Sequence, residues 1–496
     1  MERSEERVDK IVNWLKKPTN LLLIAIVIFA FIIRLYLFNM AVGQALWWDE
    51  AEYMSTSKMW AFNVPYNLNP QRPPLFQLLG AGAFMIGLGE GFIKFAFTLL
   101  PSLALVIAMF YLGKEMYNKK IGLIAAFLAA VSWTFLFWTA RIQPDFLSMT
   151  FQVLAIMFMW QYWKNKKTKP IILAGIFSAL GFYFKVSALL VPMIFMLFIF
   201  IKDRFSAFKD KNYYIYAASF LLTLIPYFIW SFLTFVTPTA FKSGYSNAIG
   251  TPMPFYWANI NYFYMLTENI LFILFVIGLV LGLRFLLYLD VLVKDKKKCF
   301  DANLFGVLVL LVVSAFYIFY IRGTEDRWVF LWLPFIFFYT GQALMFIYEK
   351  LKKYNKIVGV VVLLGLLLSI GYLQINHGIA ITDMKKTSYL PVKLGCEWIK
   401  EHSKEGVEVL TGSYTQTVYY TERNVTQIPD GGTSKKFENY LAINEPEVMI
   451  VSIFEPHPSW LNQWIGENPD KLNAVKVYYG DEAKTQPILV VYMFNY

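Results

Sequence analysis

The strongest constraint on this chain is a series of apolar runs, each about 20 residues long, separated by short polar connections. A run of this length crosses the hydrocarbon core of a bilayer as an α-helix. Composition agrees, because 57% of the residues are hydrophobic and only 16% are charged, against about one quarter in soluble domains. The chain is therefore predicted to be an α-helical polytopic membrane protein.

The positions of the runs predict about eleven transmembrane helices. They cover residues 19–39, 92–112, 121–139, 145–163, 170–185, 187–202, 213–236, 267–289, 303–321, 328–348 and 355–375. Residues 75–89 are also apolar, but a helix of that length is too short to cross a bilayer unaided. We expect an interfacial or re-entrant helix there.

The connections that carry lysine predict how the spans are oriented. The positive-inside rule places them in the cytoplasm, at residues 114–120, 164–169, 202–211, 294–298 and 350–356. The remaining connections then lie outside, including a first outer loop at 40–91. These loops account for the net charge of +11 without a continuous basic face, so no nucleic-acid partner is expected.

Composition changes after residue 375, where acidic and basic residues become interspersed. Short β-rich runs at 407–410, 448–451 and 488–491 alternate there with amphipathic stretches at 394–401 and 437–441. This pattern predicts a soluble α/β domain on the outer side. The chain would then consist of a cytoplasmic segment, a membrane domain and an extracytoplasmic domain, at residues 1–18, 19–375 and 376–496.

Charged side chains collect at the predicted outer ends of the helices. The first group is the segment Trp47-Trp48-Asp49-Glu50-Ala51-Glu52-Tyr53, and the others are Arg72, Arg141, Asp145, Lys185, Arg322, Glu325, Asp326 and Arg327. Taken singly, each residue is explained as well by a structural role, as an interfacial anchor or a helix cap, as by a functional one. Together they supply carboxylates that can accept a proton and cations that can stabilise a departing phosphate.

Five short motifs in this set, taken in order, resemble those of the multi-span GT-C glycosyltransferases, in particular the protein O-mannosyltransferase and aminoarabinose (lipid A) transferase branches. They are Asp49-Glu50, Arg72-Pro73-Pro74-Leu75, Ala140-Arg141 with Asp145, Gly181-Phe182-Tyr183-Phe184-Lys185, and Glu325-Asp326-Arg327-Trp328 ahead of Pro334. The resemblance covers roughly residues 15–375. Arg72 stands where many relatives have His, and Trp328 where many have Tyr.

The resemblance implies transfer of mannose or a similar sugar, usually with inversion, from a dolichyl- or undecaprenyl-phosphate donor on the extracytoplasmic side. Asp49 matches the first-loop acid and is the predicted general base, with Glu50 as the alternative. The predicted ligands of the donor phosphate are Lys185, Arg327, Arg141 and Arg72. Those predicted to orient sugar or acceptor are Asp145, Glu325, Asp326 and Tyr53.

Two of these roles have an alternative interpretation. Asp145 follows Arg141 by four residues, a spacing that would place both on one helix face, where a local ion pair is as good an explanation as ligand binding. The aromatic residues of the first outer loop could stack on a sugar ring or position a prenyl chain. They are Trp47, Trp48, Tyr53 and Trp60, and an interfacial aromatic belt is the favoured interpretation.

The sequence predicts no obligatory cofactor. Its histidines, His377, His402 and His457, do not have metal-ligand spacing, although a divalent cation at the outer acids stays open.

The predicted partners are a polyprenyl-phosphate sugar lipid and membrane lipids, and the acceptor could be a protein, a lipid or a glycan. A transporter or flippase should show inverted repeats and midplane polar groups, and a non-catalytic scaffold would leave the clustered charges unexplained.

Overall fold

The computed structural model describes residues 13–243, 254–287, 294–429 and 433–496. Most of the predicted cytoplasmic segment 1–18 and the end of the predicted span 267–289 lie outside these residues. The helices of the first 385 residues are α1 (Pro18–Ala41), α2 (Trp48–Phe62), α3 (Leu75–Met85), α4 (Glu90–Lys94), α5 (Leu100–Met116), α6 (Lys119–Val131), α7 (Trp133–Thr139), α8 (Asp145–Asn165), α9 (Thr168–Phe184), α10 (Leu190–Asp203), α11 (Lys211–Phe235), α12 (Asn261–Thr267), α13 (Asn269–Leu287), α14 (Lys294–Ala315), α15 (Leu333–Lys352) and α16 (Lys356–Lys385).

These helices confirm the predicted class of fold. Every predicted span contains a helix. Within the described ranges, seven helical segments are long and apolar enough to cross a membrane, or nine if each bent pair is a single span. Helix α3 has 11 residues, which is shorter than a span, as predicted.

One predicted span is bent in its middle, and another begins at a bend. The predicted helix 121–139 bends by 52° between α6 and α7, and the chain bends by 114° between α12 and α13. At the first bend, the buried guanidinium of Arg34 in α1 donates hydrogen bonds to the carbonyl oxygens of Ala129 (3.0 Å) and Ala130 (2.9 Å). These carbonyls belong to the last turn of α6 and have no partner within that helix, so the arginine stabilises the break.

The chain forms two compact units. The helical unit contains the residues up to Met40, Asn69–Pro74 and Lys94–Asp383. The mixed unit contains Ala41–Leu68, Leu75–Ile93 and Met384–Tyr496. Most of the first outer loop, all but Asn69–Pro74, is therefore grouped with the C-terminal residues, a grouping that no pattern in the sequence indicates.

The core of the helical unit is aromatic. The ring of Phe135 in α7 packs edge-to-face on Phe146 in α8 and on Phe330, with ring centroids 5.6 and 5.0 Å apart. Phe330 belongs to a 3-10 segment, Asp326–Trp332, that precedes α15. These contacts fix the 3-10 segment against the first turns of α7 and α8, where several predicted site residues lie.

The mixed unit contains a five-stranded sheet in the order β2-β1-β3-β5-β4. Its strands are β1 (Glu408–Thr411), β2 (Asn424–Gln427), β3 (Val448–Ser452), β4 (Leu472–Tyr479) and β5 (Pro487–Phe494). Strand β1 is parallel to both β2 and β3, and β5 is antiparallel to β3 and β4. The helices of this region are α17 (Leu390–His402), α18 (Tyr414–Thr421), α19 (Ser434–Asn444) and α20 (Leu461–Glu467).

Helices cover both faces of this sheet. Leu410 and Met449 pack in one cluster with Phe437 of α19 and Trp464 of α20. Strand side chains alternate between faces, so Leu489 of β5, which contacts the Gly395 region of α17, lies on the other face. The predicted α/β class is confirmed for this region.

The first outer loop packs on α18. In the mixed unit, Ser55 Oγ in α2 donates to the carbonyl of Thr415 (3.1 Å), and the Leu46 backbone N–H donates to the hydroxyl of Tyr420 (2.9 Å). Helix α2 is buried from Glu50 to Ser57, and its buried Thr56 and Ser57 hydroxyls donate to backbone carbonyls of the same helix.

Candidate active site

Lys185 lies at a break between two helices of the helical unit. Helix α9 ends at Phe184, and Lys185 adopts an extended conformation (φ −153°, ψ 127°) before the 3-10 turn Val186–Leu189. Its Nζ donates a hydrogen bond to Oδ1 of Asp145. The break therefore takes the lysine out of the helix and brings its charge to a carboxylate.

The close approach of α8 and α9 positions this pair. A Cβ added to Gly181 would lie 3.2 Å from Ala188 Cβ and 3.3 Å from Gln152 Cγ, so a larger residue would push the two helices apart. The Gly181 carbonyl also accepts a hydrogen bond from Ser148 Oγ at 2.9 Å. Close packing thus explains why the motif that ends at Lys185 has a glycine at position 181.

Asp145 is the first residue of α8, directly after Pro144. Arg141 precedes the helix in an irregular segment, where its backbone N–H donates to the carbonyl of Trp138 (3.2 Å). The prediction that Arg141 and Asp145 share one helix face is therefore wrong, because the chain becomes helical only after the proline. A carboxylate in the first turn is stabilised by the helix dipole.

Arg327 joins the same cluster from the 3-10 segment. Its buried guanidinium donates from Nη1 to Oε1 of Gln143 (2.6 Å) and from Nε to Oε2 of Glu325 (2.8 Å). Nη1 also lies 4.0 Å from Oδ2 of Asp145. Two cations, Lys185 and Arg327, thus share one buried carboxylate.

Asp326 has a different environment from its neighbour Glu325. Its Oδ2 accepts hydrogen bonds from Trp138 Nε1 (2.7 Å) and Thr134 Oγ1 (3.0 Å), both in α7. The Arg327 guanidinium lies 5.0 Å from the centroid of the Trp138 ring. Asp326 therefore attaches the segment that carries Arg327 to α7, whereas the Glu325 side chain is 47% exposed and stays accessible to a ligand.

Two adjoining cavities lie beside these residues. The first is small, and its lining combines apolar side chains with the charged residues Asp145, Lys185 and Arg327. The second has a volume of about 450 Å³ and an almost entirely apolar lining that includes Met193, Phe241, Val312, Ala315 and Phe316. Both cavities are lined by Ser187 and Leu190, so the charged residues lie next to the apolar cavity.

The other two predicted phosphate ligands also belong to the helical unit. Arg141 is buried, and Arg72 is half-buried in the segment Asn69–Pro74, where its backbone N–H donates to Asn69. As far as the described residues go, neither lines the two cavities. Their roles toward a phosphate therefore stay predictions.

The two predicted bases, Asp49 and Glu50, begin α2 in the mixed unit. The Glu50 carboxylate is buried and accepts a hydrogen bond from the backbone N–H of Trp47 (2.7 Å), as the third residue of a helix does in a capping box. Asp49 is partly exposed. Glu50 therefore has a structural task at the start of α2, and the role of either residue as a base stays a prediction.

Tyr53, predicted to orient the sugar or acceptor, is only 4% exposed. Its ring packs edge-to-face on Phe76 with the centroids 5.3 Å apart. Because α3 covers the ring, this arrangement favours a packing role for Tyr53, and its role toward a sugar or an acceptor stays a prediction.

Several residues of the cluster escaped the sequence analysis because they are uncharged. Gln143, Trp138 and Thr134 hold Arg327 and Asp326 in place. Gln143 lies between Arg141 and Asp145, and its position within a charged motif could have marked it as a residue of the site. Trp138 and Thr134 lie in an aromatic run with no sign that one face binds a carboxylate.

No metal site is evident in the ranges 13–243, 254–287, 294–429 and 433–496. They contain no group of three or more His, Cys, Asp or Glu side chains that could hold a metal ion. Whether sugar transfer needs a metal ion is tested by measuring it with and without a chelator.

A separate ionic cluster attaches the first outer loop to the C-terminal residues of the mixed unit. Glu422 follows α18 and accepts from Lys58 Nζ of α2 (2.7 Å) and from Lys400 Nζ of α17 (2.6 Å). Burial alone would raise the pKa of Glu422, but the hydrogen bonds and charges of the two lysines outweigh it and lower that pKa.

The lowered pKa of Glu422 predicts a pH-dependent stability. Its contribution is full above the unfolded-state pKa of about 4.3 and is lost as the pH falls through the lower folded-state pKa. We expect Glu422→Gln to lower the melting temperature of the purified protein more at pH 7 than at pH 3.5. Glu401→Gln, at an exposed position in α17, is the control. An equal effect of Glu422→Gln at both pH values would contradict the ionic account.

Known proteins are similar to this chain in part of its sequence and in its fold. The family described as dolichyl-phosphate-mannose-protein mannosyltransferase matches residues 71–230. That range contains four of the predicted site residues, Arg72, Arg141, Asp145 and Lys185. No curated protein sequence matches the chain.

Solved structures share the fold at low sequence identity. ArnT from Cupriavidus metallidurans, bound to undecaprenyl phosphate, has a TM-score of 0.65 at 10% identity, over 94% of this chain and 97% of that one. The archaeal oligosaccharyltransferase AglB from Archaeoglobus fulgidus, with an inhibitory peptide and a dolichol-phosphate, has a TM-score of 0.63 at 12% identity, over 89% of this chain and 70% of AglB. The mycobacterial arabinofuranosyltransferase AftD has a TM-score of 0.53 at 12% identity, over 97% of this chain and 42% of that one.

The fold and these likenesses define a multi-pass membrane protein with a C-terminal α/β region. The match to the mannosyltransferase family covers residues 71–230, and the likeness to the solved glycosyltransferases is one of fold. Both findings agree with the resemblance of the motifs to the GT-C glycosyltransferases.

Proposed function

We propose that this chain transfers a sugar from a polyprenyl-phosphate donor to an acceptor hydroxyl on the extracytoplasmic side of a membrane. The observation that carries the proposal is that two cavities of the helical unit adjoin at Ser187 and Leu190. A small cavity with Lys185 and Arg327, beside an apolar cavity of about 450 Å³, matches a lipid with a phosphate head and a hydrocarbon tail.

Charge supports the same ligand. Lys185 and Arg327 face a carboxylate in the structure, and a phosphate oxygen can replace Glu325, the more exposed of their acidic partners. Charge-assisted hydrogen bonds of this kind are about twice as strong as neutral ones. Cupriavidus ArnT bound to undecaprenyl phosphate and archaeal AglB bound to a dolichol-phosphate are similar folds that hold such lipids.

The proposed reaction needs one base and fixed cations. The acceptor oxygen attacks the anomeric carbon as the bond from that carbon to the phosphate oxygen breaks, which inverts the configuration. Asp49 takes the acceptor proton, and the polyprenyl phosphate leaves as an anion held by Lys185 and Arg327. The transferred sugar is mannose or a related hexose or pentose, and the acceptor is a protein, a lipid or a glycan.

The proposal is tested by transfer from radiolabelled polyprenyl-phosphate hexoses and pentoses by the purified protein in detergent. Sugar released or transferred by the parent, but not by Asp49→Asn, would support it, and activity in a chelator would show that no exchangeable metal is needed. A folded parent that neither binds nor turns over any donor would contradict it, and transport or a scaffolding role would then be the better account.

A further inference from the structure

The mixed unit contains a second cleft, at the carboxyl ends of its parallel strands. Its volume is about 250 Å³, and it is lined by Trp48, Gly412, Gln427, Ile428, Glu455, Pro456, His457 and Pro458. Gly412 follows β1, Gln427 ends β2, and the residues from Glu455 onward follow β3. The cleft therefore collects the loops after all three parallel strands.

Topology explains why a cleft forms there. After β1 the chain enters α18 and reaches β2 on one side, whereas after β3 it moves to β4 and β5 on the other side. In open α/β sheets, ligands bind outside the carboxyl ends of the strands at the point where the strand order reverses. The neighbouring strands β1 and β3 form that point here, and Gly412 lets their loops approach, since a Cβ there would lie 3.3 Å from Glu455 Cβ.

The chemistry of the lining distinguishes between ligand classes. The Glu455 carboxylate is partly buried, accepts a hydrogen bond from the hydroxyl of Tyr389 (3.1 Å), and would repel a phosphate or another anion. Gln427 offers an amide, and His457, whose pKa is lowered by burial, offers one donor and one acceptor when neutral. These groups suit hydroxyls, which both donate and accept.

The apolar part of the lining suits one face of a sugar ring. Its lining includes the aromatic residue Trp48 and the prolines Pro456 and Pro458. A pyranose has an apolar face of C–H groups and an edge of hydroxyls, so it needs an aromatic surface and hydrogen-bonding groups together. The cleft is smaller than the roughly 300–1,000 Å³ of pockets for drug-sized ligands, which fits one ring better than a longer segment.

We propose that this cleft binds a neutral sugar ring of the acceptor, so that the acceptor is a glycan or glycoconjugate. Trp48 stacks on the apolar face of the ring, and Glu455, Gln427 and His457 bind its hydroxyls. The inference rests on the transferase function proposed above, because Trp48 directly precedes Asp49, the proposed base, in α2.

The test measures sugar binding apart from transfer. Methyl pyranosides of mannose, glucose and galactose are added to the purified full-length protein, and saturation-transfer NMR reports binding. We expect at least one pyranoside to bind the parent and Asp49→Asn equally. Trp48→Ala and Glu455→Gln should each weaken binding at least fivefold, whereas Trp48→Phe should keep most of it and Trp398→Ala, in α17 of the same unit, should leave it unchanged.

The outcomes separate this inference from the proposed function. Absence of binding, or equal binding by the parent and both cleft variants at unchanged melting temperature, would overturn the sugar cleft while leaving the donor assay intact. A preference for cationic peptides over all pyranosides would overturn it as well. Cleft-dependent binding in a protein that transfers no sugar from any donor would keep the sugar site and refute only its role in acceptor selection.

Discussion

Asp49→Asn is expected to lower the rate of sugar transfer by about 10²- to 10⁴-fold, the usual contribution of a general base. Asparagine has nearly the same shape as aspartate but cannot accept the acceptor proton. The residue begins α2 in a partly exposed position. Donor binding, measured with radiolabelled lipid, should stay within about twofold of the parent, because the proposed phosphate ligands are other residues.

The neighbouring carboxylate provides a matched control. Glutamine at position 50 can still accept the hydrogen bond from the Trp47 backbone N–H, so Glu50→Gln should preserve the start of α2. We expect it to keep most of the transfer rate and the melting temperature. The opposite result, with Asp49→Asn active and Glu50→Gln inactive but folded, would make Glu50 the base.

The sequence predicted the helices of this protein well because hydropathy reflects a direct physical requirement. Every apolar run that is long enough to cross a bilayer is helical in the structure, since a backbone in hydrocarbon must satisfy its own hydrogen bonds. The bend at Ser132 was not predictable from hydropathy. It depends on Arg34, about 100 residues earlier, which satisfies the carbonyls that the break frees.

The strands were predicted less completely than the helices. The runs at 407–410, 448–451 and 488–491 correspond to β1, β3 and β5, which lie next to each other in the middle of the sheet and are the more buried strands. Strands β2 and β4 escaped prediction. Both are edge strands with several exposed side chains, so their sequences lack the continuous apolar run of a buried strand.

The charged residues of the candidate site could be predicted from the sequence, but the contacts between them could not. Asp145, Lys185 and Arg327 were chosen because ionisable residues at helix ends require an explanation. Their contacts depend on two helix breaks, at Pro144 and Lys185, and on a 3-10 segment held by Trp138. The four-residue spacing predicts that Arg141 and Asp145 share a helix face only if the chain is helical from one to the other, and it is not.

Lys185→Met is expected to have the second largest effect, because it removes a proposed phosphate ligand and also breaks a buried ion pair. Removing one partner of such a pair leaves an uncompensated charge and costs about 3–5 kcal/mol. Here Asp145 would keep Arg327 at 4.0 Å, so we expect the lower end of that range. Transfer by the protein that stays folded should fall by at least about 100-fold, as when one preorganised donor to a developing oxyanion is lost.

A second substitution separates the loss of structure from the loss of function. In Lys185→Met/Asp145→Asn no buried carboxylate is left uncompensated, so the double variant should regain most of the melting temperature of the parent. Its transfer rate should stay low, because asparagine supplies no cation for the phosphate. Recovery of both stability and transfer in the double variant would show that Lys185 only balances Asp145. Recovery of stability alone would assign Lys185 to the donor phosphate, and weaker binding of the labelled donor to the double variant would confirm that assignment directly.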